Sequence, residues 1–132
     1  MLSRPRSAFA ARLAGLNLLR GTWDGESVRT PSGLAVQGLV TGPRPGAGQP
    51  VVGVFSPAAV SVFRTPPGGS PRNSLRVRVS ELEPLGDRVR VRAGELGADV
   101  TPRALAELDL VPGTEVTFTV KAHEVAVYGT GV

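Results

Sequence analysis

A chain of 132 residues holds one ordinary domain or two very small ones, and its 41% apolar content argues against disorder. With no cysteine, one histidine and one lysine, it has no disulfide staple, no thiolate metal site, no thiol nucleophile, no histidine cluster for a bare cation and no evident general base, so an enzyme is not expected. The net charge of +4 is unevenly spread: residues 1–63 carry six arginines against two acids, and residues 104–132 carry Lys121 against four acids.

Such a basic surface suits nucleic acid, acidic headgroups or small anions, and charge by itself does not choose among them. Every apolar stretch is broken by Arg, Gly or Pro before it reaches bilayer length. The opening M-L-S-R-P-R-S lacks the apolar run of a secretory signal, so a soluble intracellular protein is expected.

Along the first half, F-A-A-R-L (9–13), L-L-R-G-T-W (18–23) and L-A-V-Q-G-L (34–39) read as strands. The block G-Q-P-V-V-G-V-F-S-P-A-A-V-S-V-F (48–63) then aligns without gaps on G-T-E-V-T-F-T-V-K-A-H-E-V-A-V-Y (113–128). In that repeat Gly48 matches Gly113, Val51 matches Val116, Val60 matches Val125 and Phe63 matches Tyr128. Each block predicts a turn glycine, a strand, a tight bend and a second short strand. R-T-P-P-G-G-S-P (64–71) is a linker by composition, and the chain is expected to divide near residue 66.

In the second half, 75–82 and 87–93 alternate apolar and polar residues, and E-P-L-G-D between them suits a hairpin. Pairing of those strands predicts an arginine-rich face of Arg76, Arg78, Arg88, Arg90 and Arg92, either solvated and neutralised by Glu81, Glu83 or a neighbouring subunit, or a docking surface for an acidic protein or nucleic acid. Thr101 as N-cap and Pro102 at the first helical position open a short helix, with Leu105 and Leu108 on one face and Pro112-Gly113 closing it. Strands at 115–121 and 124–128 complete the half, with His123 as an ordinary turn residue. Four or five strands and one short helix in about 60 residues predict a small OB-like barrel. The fold class is therefore all-β with one short helix, as two tandem OB-like β-barrels, 1–66 and 67–132. A barrel of that size buries little core alone, so barrel pairing or dimerisation is expected.

No G-x-x-x-x-G-K-[ST] phosphate loop is present. Three separated motifs remain: S-P-R-N (70–73), V-T-P (100–102) and V-K-A (120–122). With L-G-D-R-V-R-V and A-E-L-x-L-x-P-G-x-E-V between them, residues 70–128 resemble the Mop, or molybdate/tungstate-binding, domain. That domain occurs in molbindins, in molybdate-responsive regulators and at the C-terminus of ATP-binding subunits of molybdate ABC transporters. S-A-F-A-A-R-L-A-G-L-N-L-L-R-G and V-F-S-P-A-A-V-S-V-F are similar to the TOBE region of those ATPase subunits. The nucleotide-binding domain is absent from this sequence.

The resemblance implies a di-Mop/TOBE-type regulatory tail whose ligand is molybdate or tungstate, with no cofactor. Its oxyanion site would be lined by Ser70, Arg72, Thr101, Lys121 and the backbone near Ala122. A tetrahedral dianion needs convergent donors and positive charge. Arg72 and Lys121 carry charge, the Ser70 and Thr101 hydroxyls donate, and the Arg103 and Ala104 amides stand at a positive helix end. Sulfate shares that shape and charge. Pro71 stands where some members have Ala, and Ala104 where some have Ser, which removes a hydroxyl. The first barrel has Ser56-Pro57 in place of Lys121-Ala122 and no S-x-R-N, so it is expected to be structural.

The resemblance further implies a homodimer through the second barrel, joined in a transporter to an ATPase domain and membrane permease subunits. The setting would be cytoplasmic, at the membrane through that complex, with feedback on molybdate import. The competing classes are a dimerisation module without ligand and an OB-type nucleic-acid binder. The latter stacks bases on aromatics in a basic groove, but Phe55, Phe63, Phe118 and Tyr128 are expected in the core and leave only Trp23 free. No nucleic-acid partner is therefore expected.

Overall fold

The structure, a computed structural model, describes residues 4–67 and 72–130. Its elements begin with helix α1 (Ala8–Leu13), strands β1 (Asn17–Trp23), β2 (Val28–Arg29), β3 (Ala35–Val36), β4 (Leu39–Val40) and β5 (Pro50–Phe55), a 3-10 turn at Pro57–Ala59, and β6 (Ser61–Phe63). There follow β7 (Arg72–Arg78), β8 (Glu81–Leu85), β9 (Arg88–Ala93), β10 (Leu96–Val100), helix α2 (Pro102–Leu108), β11 (Glu115–Lys121), a second 3-10 turn at Ala122–Glu124, and β12 (Ala126–Gly129). The chain is mostly β, as expected, but the described residues include two α-helices where one was predicted.

The additional helix covers F-A-A-R-L, read above as a strand. Ser7 decides the matter: its hydroxyl accepts from the Ala10 amide at 3.1 Å and so caps an alanine-rich turn. An apolar run of five residues does not distinguish helix from strand by period. The stretch 34–39 is also no single strand. β3 pairs antiparallel with β2, whereas β4 runs parallel to β12. Gly38 lies between them because a Cβ there would meet the Val125 carbonyl oxygen at 2.6 Å.

Chain contacts divide the molecule into residues 1–56 with 121–132, and residues 57–120. The expected division near residue 66 differs because the repeat exchanges its second strands. In the first unit one sheet has the order β3-β2-β1-β5-β12-β4, and β12 comes from the second repeat. In the second unit β6, from the first repeat, pairs with β11 in the sheet β6-β11-β7. The registers coincide at matched positions of the repeat: Thr117↔Phe63 and Thr119↔Ser61 in one unit correspond to Val52↔Tyr128 and Val54↔Ala126 in the other. The matched turn glycines, Gly48 and Gly113, both adopt positive φ, +84° and +96°, a conformation open to glycine at little cost.

Ala11, Leu18, Val52, Val54 and Tyr128 pack together in the first unit, with Leu16 and Ala126 against them. β5 and β11 are the central strands of their sheets, so Val51–Phe55 and Val116–Val120 are buried on both faces. Burial contributes roughly 1.5–3 kcal/mol for each large apolar side chain.

The second unit's other sheet is β10-β9-β8. The hairpin falls later than predicted: Glu81↔Arg92 through Leu85↔Arg88 are paired, and Gly86-Asp87 form the two-residue loop. Gly86 takes the positive φ of +68° that a glycine-first hairpin turn requires. β7 and β9 consequently lie in different sheets, and the arginines do not form one face. Arg76 and Arg78 each reach Glu115 at 3.4 Å, and Arg92 reaches Glu83 at 3.4 Å. Arg90 holds both oxygens of Asp99 at 2.7 and 3.1 Å, and Arg88 adds a third bond at 3.0 Å. The Arg90 hydrogen bonds, reinforced by the charges of Arg90 and Arg88, hold the Asp99 carboxyl below the usual carboxylate range.

Candidate functional site

Thr101, Arg103 and Ala104 stand together at the start of α2. The Thr101 hydroxyl oxygen accepts from the Ala104 amide at 3.0 Å, and the Thr101 carbonyl accepts from Leu105 at 3.0 Å. Pro102 has no N–H, so among the first-turn amides Arg103 alone keeps a donor without a partner among the described residues. The Ala104 amide, expected to face a ligand, is instead spent on the cap. A hydroxyl accepts through its lone pairs and donates through its proton, so the cap leaves the Thr101 proton available. The Arg103 side chain is exposed and lies 3.6 Å from Glu107, one turn along the helix.

Lys121 ends β11 and precedes the 3-10 turn that holds Ala122, and its exposed side chain makes no capping hydrogen bond. Arg72 is the first residue of β7. Its side chain, and Ser70 as a whole, lie outside the described residues. His123 is exposed in the same 3-10 turn, 3.7 Å from Glu124. No group of three or more His, Cys, Asp or Glu residues able to hold a metal ion occurs among the described residues.

The aromatics do not form a stacking platform. Phe55, Phe118 and Tyr128 are buried, and Trp23, expected to be free, is only 4% exposed. Its indole is covered in part by Arg44, whose guanidinium carbon lies 5.9 Å from the ring centroid. Phe63 is half-buried. Phe9 and Leu13, one turn apart on α1, are 73% and 75% exposed.

Sequence reasoning passed over one cleft in the first unit, with a volume of about 330 Å³, lined by Arg4, Arg6, Arg44, Thr41, Gln49 and Tyr128 among others. Its residues come from four separate stretches, so no local motif announces it. The one signal was the excess of arginine over acid in residues 1–63.

The TOBE domain family matches residues 69–127. The matched stretch follows the sequence repeat, so it extends past Val120 into the strand that β12 contributes to the first unit. The chain is 42% identical over 137 aligned positions to the molybdenum import ATP-binding protein ModC of Mycobacterium tuberculosis, in strains CDC 1551 / Oshkosh and ATCC 25618 / H37Rv. The alignment covers 97% of this chain and 37% of each relative, so the chain spans little more than a third of their length. Among solved structures, a molybdate-bound crystal form of the cytoplasmic molybdate-binding protein ModG superposes with a TM-score of 0.73 at 23% identity, covering 84% of this chain and 94% of that one. That likeness establishes that the two chains share a fold. No helix among the described residues is long and apolar enough to cross a membrane.

Proposed function

We propose that this chain is the oxyanion-binding regulatory region of a molybdate-import ATPase subunit, and that it binds molybdate or tungstate. The observation that carries the reading is 42% identity along 97% of the chain to molybdenum import ATP-binding proteins. The fold shared with a molybdate-binding protein agrees with it. The region itself binds rather than catalyses. The residues proposed to hold the anion are Ser70, Arg72, Thr101, Arg103, Lys121 and the Ala122 backbone. Ala104 acts indirectly, by fixing the Thr101 hydroxyl through the cap.

The chemistry fits a tetrahedral dianion. A cation about 4 Å from one negative charge gains roughly 4 kcal/mol at an effective dielectric near 20. Desolvation opposes that gain, so the Thr101 proton and the Arg103 N–H are needed to replace lost water. In the parent transporter the region acts as a cytoplasmic homodimer joined to ATPase domains and permease subunits, the 1–66 repeat serving as framework. Bound oxyanion favours a non-transporting arrangement only by its difference in affinity between the two states.

Calorimetric titration of the chain with molybdate, tungstate and sulfate tests this. Saturable heat with molybdate or tungstate is expected, weakened by about tenfold or more in Arg72→Ala and Lys121→Ala, the loss expected of a charged hydrogen bond. Absence of heat with all three anions would leave a dimerisation module as the better reading.

A further inference from the structure

We infer that the first unit carries a second anion site, in which Arg4, Arg6 and Arg44 wall a cleft that takes a small polyanion bearing phosphate groups. The volume of about 330 Å³ falls within the roughly 300–1,000 Å³ of small-molecule pockets and exceeds what one tetrahedral oxyanion fills. None of its lining residues belongs to the oxyanion set named above, and none is acidic.

The contrast with seven of the chain's other arginines carries the argument. Arg29, Arg76, Arg78, Arg88, Arg90, Arg92 and Arg103 all lie against carboxylates. Two of the three cleft arginines are held by neutral groups instead. Arg4 donates to the Thr41 hydroxyl at 3.0 Å and carbonyl at 3.3 Å, and sits 4.4 Å over the Tyr128 ring. Arg44 lies over Trp23 and reaches the Gly25 carbonyl at 3.4 Å. These contacts orient the two guanidinium groups, and among the described residues no carboxylate lines the cleft.

The short segment between Arg4 and Arg6 is tied from two sides. The Tyr128 hydroxyl donates to the Pro5 carbonyl at 2.5 Å, and Arg20 donates to the Arg6 carbonyl at 3.3 Å. Both arginines thus start from a fixed backbone. Gln49 accepts from the Gly46 amide through its side-chain oxygen at 2.6 Å, which leaves its NH₂ group as a neutral donor. Three like charges on one cleft repel each other until an anion enters. A ligand with several phosphate oxygens answers all three, because a guanidinium fork matches phosphate geometry.

Inorganic pyrophosphate is the probe, titrated into the full chain and followed by calorimetry and by fluorescence of Trp23, the one tryptophan. One saturable site per chain is expected, persisting in saturating molybdate. The double variant Arg6→Gln, Arg44→Gln replaces two exposed side chains and is expected to weaken binding at least about tenfold while leaving the circular dichroism unchanged. Absence of saturable binding overturns the inference, as does unchanged affinity in the folded double variant. Displacement by molybdate at equal stoichiometry overturns it as well, by assigning the heat to the oxyanion residues. Tighter binding of a short single-stranded oligonucleotide through the same arginines overturns it in favour of a nucleic-acid backbone.

Discussion

At Thr101 a single hydroxyl closes the first turn of α2 and, in the proposed site, offers its proton to the anion. Thr101→Ala is expected to cost about 1 kcal/mol of stability from the lost cap alone, read by urea denaturation, while Thr101→Ser recovers most of it. Asp99 is only 7% exposed and Arg90 15%, on paired strands. Asp99→Asn strips the charge from three hydrogen bonds and removes the nearest counter-ion of two guanidinium groups. A loss of about 2 kcal/mol is expected in thermal or urea unfolding. Because the folded carboxyl titrates below its unfolded value, its contribution is complete above the ordinary carboxylate pKa of about 3.9 and is lost as pH falls through the folded value. The melting temperature should therefore drop with acid below about pH 4, and less steeply in Asp99→Asn. Asp24, lowered to about 2 by Arg29 and the Glu26 and Ser27 amides, titrates in the same direction. Residue-scale chemistry was only partly legible. The Thr101-Pro102 pair announced its cap, whereas Arg4, Arg6 and Arg44 acquire meaning only when folding brings 4–6, 41–45, 49–50 and 128–129 together.

Among the elements, α2 was readable because a cap, a proline and spaced leucines are all local signals. α1 was missed because its five apolar-rich residues suit either period and one serine settles the choice. β10 (Leu96–Val100) was missed because G-A-D-V lacks alternation; its place comes from five pairs with β9, Leu96↔Ala93 through Val100↔Val89. β4 owes its position to Gly38, a residue with no pattern signal at all. Gly38→Ala is expected to push Val125 and β4 apart and to destabilise the fold by about 1–3 kcal/mol, measured by chemical denaturation. An unchanged midpoint would show that β4 is free to move away from β12.

Across the whole molecule, the repeat was visible in the sequence and its exchange of strands was not. Matched glycines, valines and aromatics describe what each block contains, but the choice of partner for a short second strand is made by tertiary packing. A division near residue 66 follows from linker composition, whereas contacts divide the chain at Ser56/Pro57 and Val120/Lys121. Deleting residues 125–132 removes β12 from between β5 and β4, although it lies at the far end of the chain from both. Amide hydrogen exchange should then show lost protection over 50–55 with protection kept over 88–100. Equal loss in both stretches would contradict the exchanged arrangement. Oxyanion binding is the central claim, and anomalous diffraction at the tungsten edge from crystals grown with tungstate tests it most directly. The account predicts a tungsten peak within hydrogen-bonding reach of the Thr101 hydroxyl, the Arg103 amide or Lys121, and tungsten confined to the Arg4, Arg6 and Arg44 cleft, or absent at saturating tungstate, would contradict it.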